Sequence, residues 1–199
     1  MSIALAVGQS TLFNFQTHPK VNRPLYEETK TIALKDPSKG FPLGRAVGVL
    51  RWSASCTDET MLPLTVNCWP EEEGGGIMNV NIVYTLLREL ELHDVRIAIP
   101  LGTGDAPHIQ SADGAPRHDA SSQQLIWCLD MVDSSNSSGS LEFNVSGHNP
   151  DAFFPIQIQF QSSQLYADVS VLGVSAEGDA APLQYALNSS LYTENYVCS

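Results

Sequence analysis

The 199-residue sequence predicts an all-β chain. Its apolar and polar residues alternate with a period of two, as at 156–160, where two isoleucines and a phenylalanine are separated by glutamines. That period places successive side chains on opposite faces of a strand. Clusters of turn-forming residues lie between such runs. Many short strands separated by turns are typical of a β-sandwich.

Runs predicted to form strands continue through most of the chain. They lie at 47–52, 62–69, 80–84, 95–99, 125–129, 141–145, 156–160, 167–171 and 183–187. The turn clusters between them are at 70–76, 102–107, 133–139 and 147–150. Residues 1–46 differ, because they are polar, basic and interrupted by four prolines. Within them we expect residues 1–10 to be frayed or to form an opportunistic strand.

One short segment has helical character. Residues 85–91 contain neither glycine nor proline and would make about two helical turns. The same segment could equally be a loop between two strands. The sequence therefore predicts at most one short helix.

Charge excludes one broad class of function. Acidic residues outnumber basic residues 22 to 10, which gives a formal net charge of −12. A general nucleic-acid-binding protein needs an excess of lysine and arginine, so we expect no nucleic-acid partner. Residues 1–51 nevertheless hold seven of the ten basic residues and only three acidic ones, and no lysine or arginine follows Arg117. Any contact with an acidic ligand is therefore expected in the N-terminal part.

The sequence gives only weak evidence about the cellular compartment of the protein. The apolar run at 3–7 is too short for a signal peptide, and no run approaches the roughly 20 apolar residues of a membrane span. The four cysteines are far apart in sequence and read as reduced thiols. Three Asn-x-Ser sequons, at Asn136, Asn144 and Asn188, leave open the alternative of an extracellular or lumenal β-sandwich domain.

The sequence contains few signs of catalysis. Residues 105–119 gather Asp and His side chains of the kind that bind metals or act in hydrolases, namely Asp105, His108, Asp113, His118 and Asp119. Their spacing matches no ligand motif, so a solvated loop is favoured over a hydrolase site. The glycine-rich stretch at 73–76 follows acidic residues and predicts a hairpin loop. We therefore expect no catalytic residue, no metal and no cofactor.

Tryptophan and cysteine residues occupy strand-like runs. Trp52, Trp69 and Trp127 are predicted to be core or half-core anchors, and any of them could instead line a peptide groove. Cys68 and Cys128 each adjoin a tryptophan in an apolar run, which favours inert buried thiols over catalytic ones. Residues that bind a partner cannot be assigned from this pattern.

A set of short motifs resembles one known family. The motifs are QTHP at 16–19, VGVLRW at 47–52, PLTVNCWP at 63–70, LELHDV at 90–95, IPL at 99–101, RHD at 117–119, WCL at 127–129, SGSLEF at 138–143 and FFP at 153–155. In this order and spacing they closely resemble the mu-homology domain of the coatomer delta (archain) family. The resemblance runs from about residue 12 to the C-terminus. It leaves residues 1–11 unassigned and implies that the first strands of the family's domain are missing, with an unpaired sheet edge.

The resemblance implies an elongated β-sandwich of two subdomains, the second inserted into the first. Residues 1–63 plus 161–199 would form the first subdomain, and residues 64–160 the inserted one. It also implies a non-enzymatic adaptor domain of the COPI vesicle coat in the cytoplasm, peripheral on Golgi membranes and coated vesicles, in Golgi-to-ER transport. Its implied partners are other coatomer subunits and tethering or Arf-regulatory proteins that carry tryptophan motifs, with membrane contact only through the coat.

Overall fold

The computed structural model describes residues 1–8, 12–176 and 181–199, and within these ranges it contains fifteen strands and one α-helix. The predicted all-β class is confirmed. The elements in chain order are β1 (Ser2–Val7), β2 (Phe13–Thr17), α1 (Arg23–Thr29), β3 (Thr31–Ala33), β4 (Leu50–Ala54), β5 (Leu64–Gly74), β6 (Ile77–Leu86), β7 (Leu92–Pro100), β8 (His108–Ala112), β9 (Ala115–Asp119), β10 (Gln124–Val132), β11 (Ser138–Ser146), β12 (Ile156–Ser162), β13 (Val169–Ser175), β14 (Leu191–Tyr192) and β15 (Tyr196–Cys198). Short 3₁₀ turns lie at Glu59–Met61 and Pro150–Phe153.

The chain forms two compact units. The first contains residues 1–57 and 165–188, and the second contains residues 58–164 and 189–199. Residues 189–199 lie in the second unit, whereas the sequence assigned them to the first subdomain. The reason is that β14 and β15 both pair with β12. No helix in the described ranges has the length and apolarity needed to cross a bilayer.

The second unit is built from two antiparallel sheets that share one core. One sheet has the order β5-β6-β11-β8, and the other has the order β14-β12-β7-β10-β9, with β15 also on β12. Inward residues alternate with outward ones, as in β12, whose isoleucine and phenylalanine side chains are buried and whose glutamines are exposed. The period-two pattern seen in the sequence therefore determines which side chains face this core. Its largest fully buried side chain is Trp127, whose indole N–H donates to the Asp113 carbonyl oxygen.

The C-terminal strand covers the free edge of β5. The hydroxyl of Tyr196 donates to the carbonyl oxygen of Leu64, and the Cys198 thiol lies 3.0 Å from the carbonyl oxygen of Val66. An edge strand exposes a row of backbone groups that need partners. These two side chains supply partners for the first part of that row and hold residues 189–199 on the second unit.

The first unit contains two small sheets and the helix. Strand β1 lies between β13 and β3, and β2 pairs with β4 as a two-stranded ribbon. Of the two alternatives for the N-terminal segment, frayed or an opportunistic strand, residues 2–7 form the strand, and β1 is the central strand of its sheet. A small core forms around Val21, Tyr26 and Ile32.

The segment at 85–91 forms no helix, and the alternative of a loop between two strands is correct for residues 87–91. Strand β6 runs through Leu86, and the Leu87 N–H then donates to the Pro63 carbonyl oxygen. The seven-residue pattern was too short to oppose the ladder that β6 forms with β5 and β11. The predicted strand at 183–187 is also absent, since only the Leu183 N–H pairs with the edge of β13, at the Val174 carbonyl oxygen.

The α-helix forms instead in the basic, proline-containing N-terminal part. The Asn22 side chain caps the helix by accepting from the Leu25 N–H, and Pro24 sits in the first turn, where its missing N–H costs no hydrogen bond. Lys30 ends the helix in the left-handed conformation, with its N–H on the Tyr26 carbonyl oxygen.

The four cysteines form no disulfide. Cys56 is exposed, while Cys68, Cys128 and Cys198 are half-buried. Burial, with a smaller contribution from Cys198, raises the pKa of the Cys68 thiol to about 12. Burial also raises the pKa of Cys198. These two thiols therefore stay protonated near neutral pH, as the sequence predicted for Cys68.

Replacing Trp127 tests the core. Trp127 is fully buried, so Trp127→Ala should lower the free energy of unfolding by roughly 3–5 kcal/mol through the cavity it leaves. The matched control is Trp69→Ala, because Trp69 is 52 % exposed and should cost no more than about 0.5 kcal/mol. Chemical denaturation measures both. Equal losses for the two variants would contradict the core described above.

Thiol labelling tests the cysteine environments. In the native protein at pH 8, an aromatic disulfide reagent should label Cys56 rapidly and Cys68 slowly, because the thiolate is the reactive form and Cys68 is protonated and half-buried. Unfolding in denaturant should make all four thiols reactive. Peptide mapping identifies the labelled residues. Labelling of Cys68 as fast as Cys56 would show that its environment is wrong.

Candidate functional site

A groove in the first unit lies between strand β2 and helix α1. It has a volume of about 580 Å³, within the range of ligand sites. Its walls come from one continuous stretch of chain, and they consist of Asn14, Phe15, Gln16, Thr17, His18, Pro19, Val21, Arg23, Tyr26 and Glu27. We call this the β2–α1 groove. It contains the QTHP motif at 16–19.

One side of the groove is the edge of β2 that faces away from β4. The His18 N–H donates to the Val49 carbonyl oxygen at 2.9 Å, and the register continues through Gln16 opposite Arg51. In an antiparallel ladder, alternate residues direct their backbone groups toward the partner strand. Backbone groups of Phe13, Phe15 and Thr17 therefore point away from β4, toward the groove side.

The ribbon carries a row of aromatic rings on one face. The Phe13 ring lies 6.3 Å from the Phe15 ring and 6.0 Å from the Tyr166 ring, and the Phe15 ring lies 6.3 Å from the Trp52 ring. These spacings are typical of aromatic pairs. All four residues are half-buried, so the rings combine packing with accessible surface. Trp52 is thus a half-core residue, as predicted.

Helix α1 supplies the opposite wall. Tyr26 is buried, and burial raises the pKa of its hydroxyl. The Lys30 ammonium lies 5.3 Å from the Tyr26 ring centre. On the exposed side of the helix, Arg23 Nε lies 2.7 Å from Glu27 Oε1. Because Asn22 caps the first turn, it fixes where the helix begins and therefore the positions of Arg23, Tyr26 and Glu27 along it.

Arg23 is paired with Glu27 in the groove wall, and three further basic residues belong to the elements that form or adjoin the groove. The Lys20 ammonium donates to the Gly40 carbonyl oxygen at 2.8 Å and lies 5.8 Å from the Phe41 ring centre. Arg51 is exposed on β4, opposite Gln16. Lys20, Arg23, Lys30 and Arg51 all belong to the basic N-terminal part singled out in the sequence. The groove therefore favours a ligand with apolar rings and neutral or acidic polar groups.

A second cleft, of about 430 Å³, lies in the second unit. Its walls include Asp113, Asp130, Met131 and Tyr84, and the Tyr84 hydroxyl donates to the Asn136 carbonyl oxygen at 3.0 Å. The carboxylates give this cleft an acidic rim. Tyr84 is the one aromatic side chain among its lining residues, so the cleft does not offer the row of rings found beside the β2–α1 groove.

The predicted loop at 105–119 is wrong, because most of it forms β8 and β9. These strands belong to different sheets, with β8 on β11 and β9 on β10. His108 is exposed on the first, and His118 is half-buried on the second. Asp119 accepts hydrogen bonds from Ser121 and Ser122, which lower its pKa to about 2. In the described ranges no three His, Cys, Asp or Glu side chains are placed to hold a metal.

The other tryptophans, the glycine-rich stretch and the sequons that the sequence singled out lie outside the β2–α1 groove. Trp127 is in the core and Trp69 is exposed on β5. The glycine-rich stretch forms the β5–β6 hairpin, as expected, with Gly75 and Gly76 at positive φ. Two of the sequon amides are engaged: Asn144 Oδ1 accepts from Asn79 and Gln110, and Asn136 Nδ2 donates to the Met131 carbonyl oxygen. A glycan on either amide would disturb these bonds.

The sequence interpretation missed the groove because it treated residues 1–46 as irregular. A local signal was present: Asn22 followed two residues later by Pro24 is a typical helix start. The free edge of β2 has no such signal, because pairing is set by residues far away in the chain.

Comparisons with known proteins agree with this architecture. The model of the adaptor complexes medium subunit family matches residues 2–198. A probable coatomer subunit delta from Caenorhabditis elegans is 35 % identical over 197 residues, 98 % of this chain and 38 % of its own length. Coatomer subunit delta-2 from Oryza sativa is 38 % identical over 92 % of this chain and 35 % of its own length. The chain thus spans little more than a third of these relatives.

Two solved structures are similar throughout. The yeast delta-COP-I mu-homology domain is 27 % identical, with a TM-score of 0.83 over 98 % of this chain and 81 % of that one. The same yeast domain complexed with a Dsl1 WxWxV peptide is 25 % identical, with a TM-score of 0.80 over 100 % of this chain and 82 % of that one. The resemblance to the coatomer delta mu-homology domain is therefore confirmed. It reaches residue 2, further toward the N-terminus than the sequence motifs indicated, and the chain belongs to the adaptor complexes medium subunit family.

Proposed function

We propose that this chain is a non-enzymatic adaptor domain of the COPI vesicle coat that binds short tryptophan-containing peptides. The observation that carries the proposal is the likeness to the yeast domain complexed with a WxWxV peptide, which extends over the whole of this chain. The family is one of vesicle-coat adaptors, a non-enzymatic class.

The β2–α1 groove is the proposed peptide site. It combines a row of half-buried rings, an accessible strand edge and basic surroundings within one unit. Large aromatic side chains contribute most of the binding energy in many interfaces, and such rings are best received by other apolar surfaces. The acidic cleft of the second unit lacks the row of rings and the basic residues.

The proposed partners are coat components. They comprise other coatomer subunits and the tethering or Arf-regulatory proteins that carry tryptophan motifs in disordered segments. The domain would act in Golgi-to-ER transport from the cytoplasm, peripheral on Golgi membranes and COPI-coated vesicles. Its contact with the membrane would be indirect, through the coat, since its acidic surface repels anionic lipids.

Weak binding by each peptide fits this role. Ordering a disordered peptide offsets several kcal/mol of contact energy, so one motif should bind with micromolar-range affinity. A coat that presents many copies of the domain raises the effective affinity without new contacts. Release is then possible when the coat disassembles.

Calorimetry with three peptides tests the proposed function. A peptide with two tryptophans in an acidic or neutral context should bind with micromolar-range affinity. Replacing one tryptophan by alanine should weaken binding at least tenfold, about 1.4 kcal/mol, because the main buried ring is lost. Higher salt should weaken binding of an acidic peptide modestly, because the N-terminal part that forms the groove has an excess of basic residues.

The control is a tyrosine-based sorting peptide of the clathrin-adaptor type, which should not bind. Circular dichroism of the same protein sample establishes that it is folded. Equal affinity for the tryptophan peptide and its alanine variant, or preference for the tyrosine peptide, would reject the proposal.

A further inference from the structure

We propose that the loop between β3 and β4, residues 35–49, contacts an anionic lipid bilayer directly, with the Leu43 side chain inserted below the headgroups and the neighbouring cations lying on them. In the proposed function the domain reaches the membrane only through the coat, because its surface as a whole is acidic. This inference goes beyond that function by adding one local contact at a basic loop. It does not depend on the binding of a tryptophan peptide.

Leu43 is the most exposed of the large apolar side chains that the structure describes, with 97 % of its surface accessible. It forms a turn with Gly44, whose positive φ of 71° is readily adopted by glycine. A methyl group added at Gly44 would meet no atom within 4 Å, so the turn stands clear of the rest of the first unit. One exposed leucine is common on protein surfaces, so the residues around it decide what it indicates.

The loop is held in place on the protein side of this turn. The Phe41 ring packs against the small core of the first unit and lies 5.1 Å from the His18 ring. The Lys20 ammonium donates to the Gly40 carbonyl oxygen at 2.8 Å, and the Lys35 N–H donates to the Lys20 carbonyl oxygen at 2.9 Å. The exposed leucine is therefore presented by a loop that is already ordered, which lowers the entropic cost of its insertion.

The same loop is positively charged in a chain whose net charge is −12. Lys35, Lys39 and Arg45 are exposed in it, and half-buried Lys20 lies against it. The one acidic residue of the loop, Asp36, is paired with Lys39, with 3.1 Å between Oδ2 and Nζ. The excess of cations would meet the negative surface of a leaflet that contains anionic phospholipids, and each lysine or arginine near that surface adds to the attraction.

The shape of the turn favours a bilayer over a peptide as the occupant. Residues 42–46 line neither of the two clefts described above, so the leucine projects outward and has no concave wall around it. A bilayer can receive a projecting apolar side chain beneath its headgroups while it presents many anionic groups around the same point. A free peptide would have to supply a pocket of its own to cover the leucine.

The acidic second unit confines this contact to the loop. Since that unit carries most of the carboxylates, it is repelled by the same lipids that attract the loop. A contact made by one leucine and a few cations is weak when the domain acts alone. Many copies in one coat would make it effective, because their contacts with a single membrane add up.

Sedimentation with lipid vesicles tests the contact. One set of vesicles contains phosphatidylcholine with about one third phosphatidylserine, and the other contains phosphatidylcholine alone. Binding to the anionic vesicles should be at least about fivefold stronger than to the neutral ones and should weaken as salt is raised, because the cations face a negative surface. Arg45→Gln should weaken binding to the anionic vesicles about two- to fivefold.

A pair of leucine variants tests the insertion. Leu43→Ser should weaken binding to the anionic vesicles about fivefold or more, because the inserted apolar side chain is lost. The matched control is Leu172→Ser, since Leu172 is 68 % exposed in the same unit, on a strand that contains no basic residue. This control should change binding less than about twofold. Circular dichroism establishes that both variants are folded.

The outcomes also separate this inference from the proposed function. Leu43→Ser should leave the affinity for the two-tryptophan peptide unchanged. Absence of binding to the anionic vesicles, equal binding to both kinds of vesicle, or equal losses for Leu43→Ser and Leu172→Ser would overturn the membrane contact and leave the proposed function standing. A loss of peptide affinity in Leu43→Ser as large as its loss of vesicle binding would show a general defect of the first unit and overturn the assignment to the loop.

Discussion

The backbone groups at strand edges constrain this structure more than any single side chain. Every N–H and C=O that leaves water needs a hydrogen-bond partner, and a sheet that does not close into a barrel ends in edges that expose such groups. In the second unit the edge of β5 is partly covered from within, because Tyr196 and Cys198 reach the carbonyl oxygens of Leu64 and Val66. In the first unit, the edge of β2 borders an open groove. One edge is thus covered by the chain itself, and the other is accessible to a ligand.

The two units also divide charge and chemistry. Basic residues are concentrated in the N-terminal part, which forms the β2–α1 groove, whereas the second unit contributes most of the acidic surface. The groove offers aromatic rings, so the binding energy of the proposed ligand would come mainly from aromatic burial. Charge would then tune the choice of partner and the rate of association. Weak binding of this kind agrees with the proposed role in a coat that assembles and disassembles.

The core of the second unit could be predicted from the sequence because period-two alternation is a local signal. The runs at 95–99 and 156–160 and the burial of Trp127 follow from it directly. The segment at 105–119 could not be placed, since β8 and β9 are short and their pairing partners in β11 and β10 are set by the tertiary fold. Helix α1 was missed although Asn22 and Pro24 signal its start, because its seven residues contain too few apolar side chains to show a helical period. The groove depends on which edge of β2 remains open, and no local pattern specifies that.

Amide hydrogen exchange measured by NMR tests the central claim most directly. The account predicts that saturating two-tryptophan peptide slows exchange of the Phe15 and Thr17 amides at least tenfold, because the bound peptide covers the groove that these residues line. The Gln16 amide, which already faces Arg51 across the ribbon, should change little. Unchanged exchange at Phe15 and Thr17 in the bound protein, or protection that falls on the acidic cleft of the second unit instead, would contradict the account.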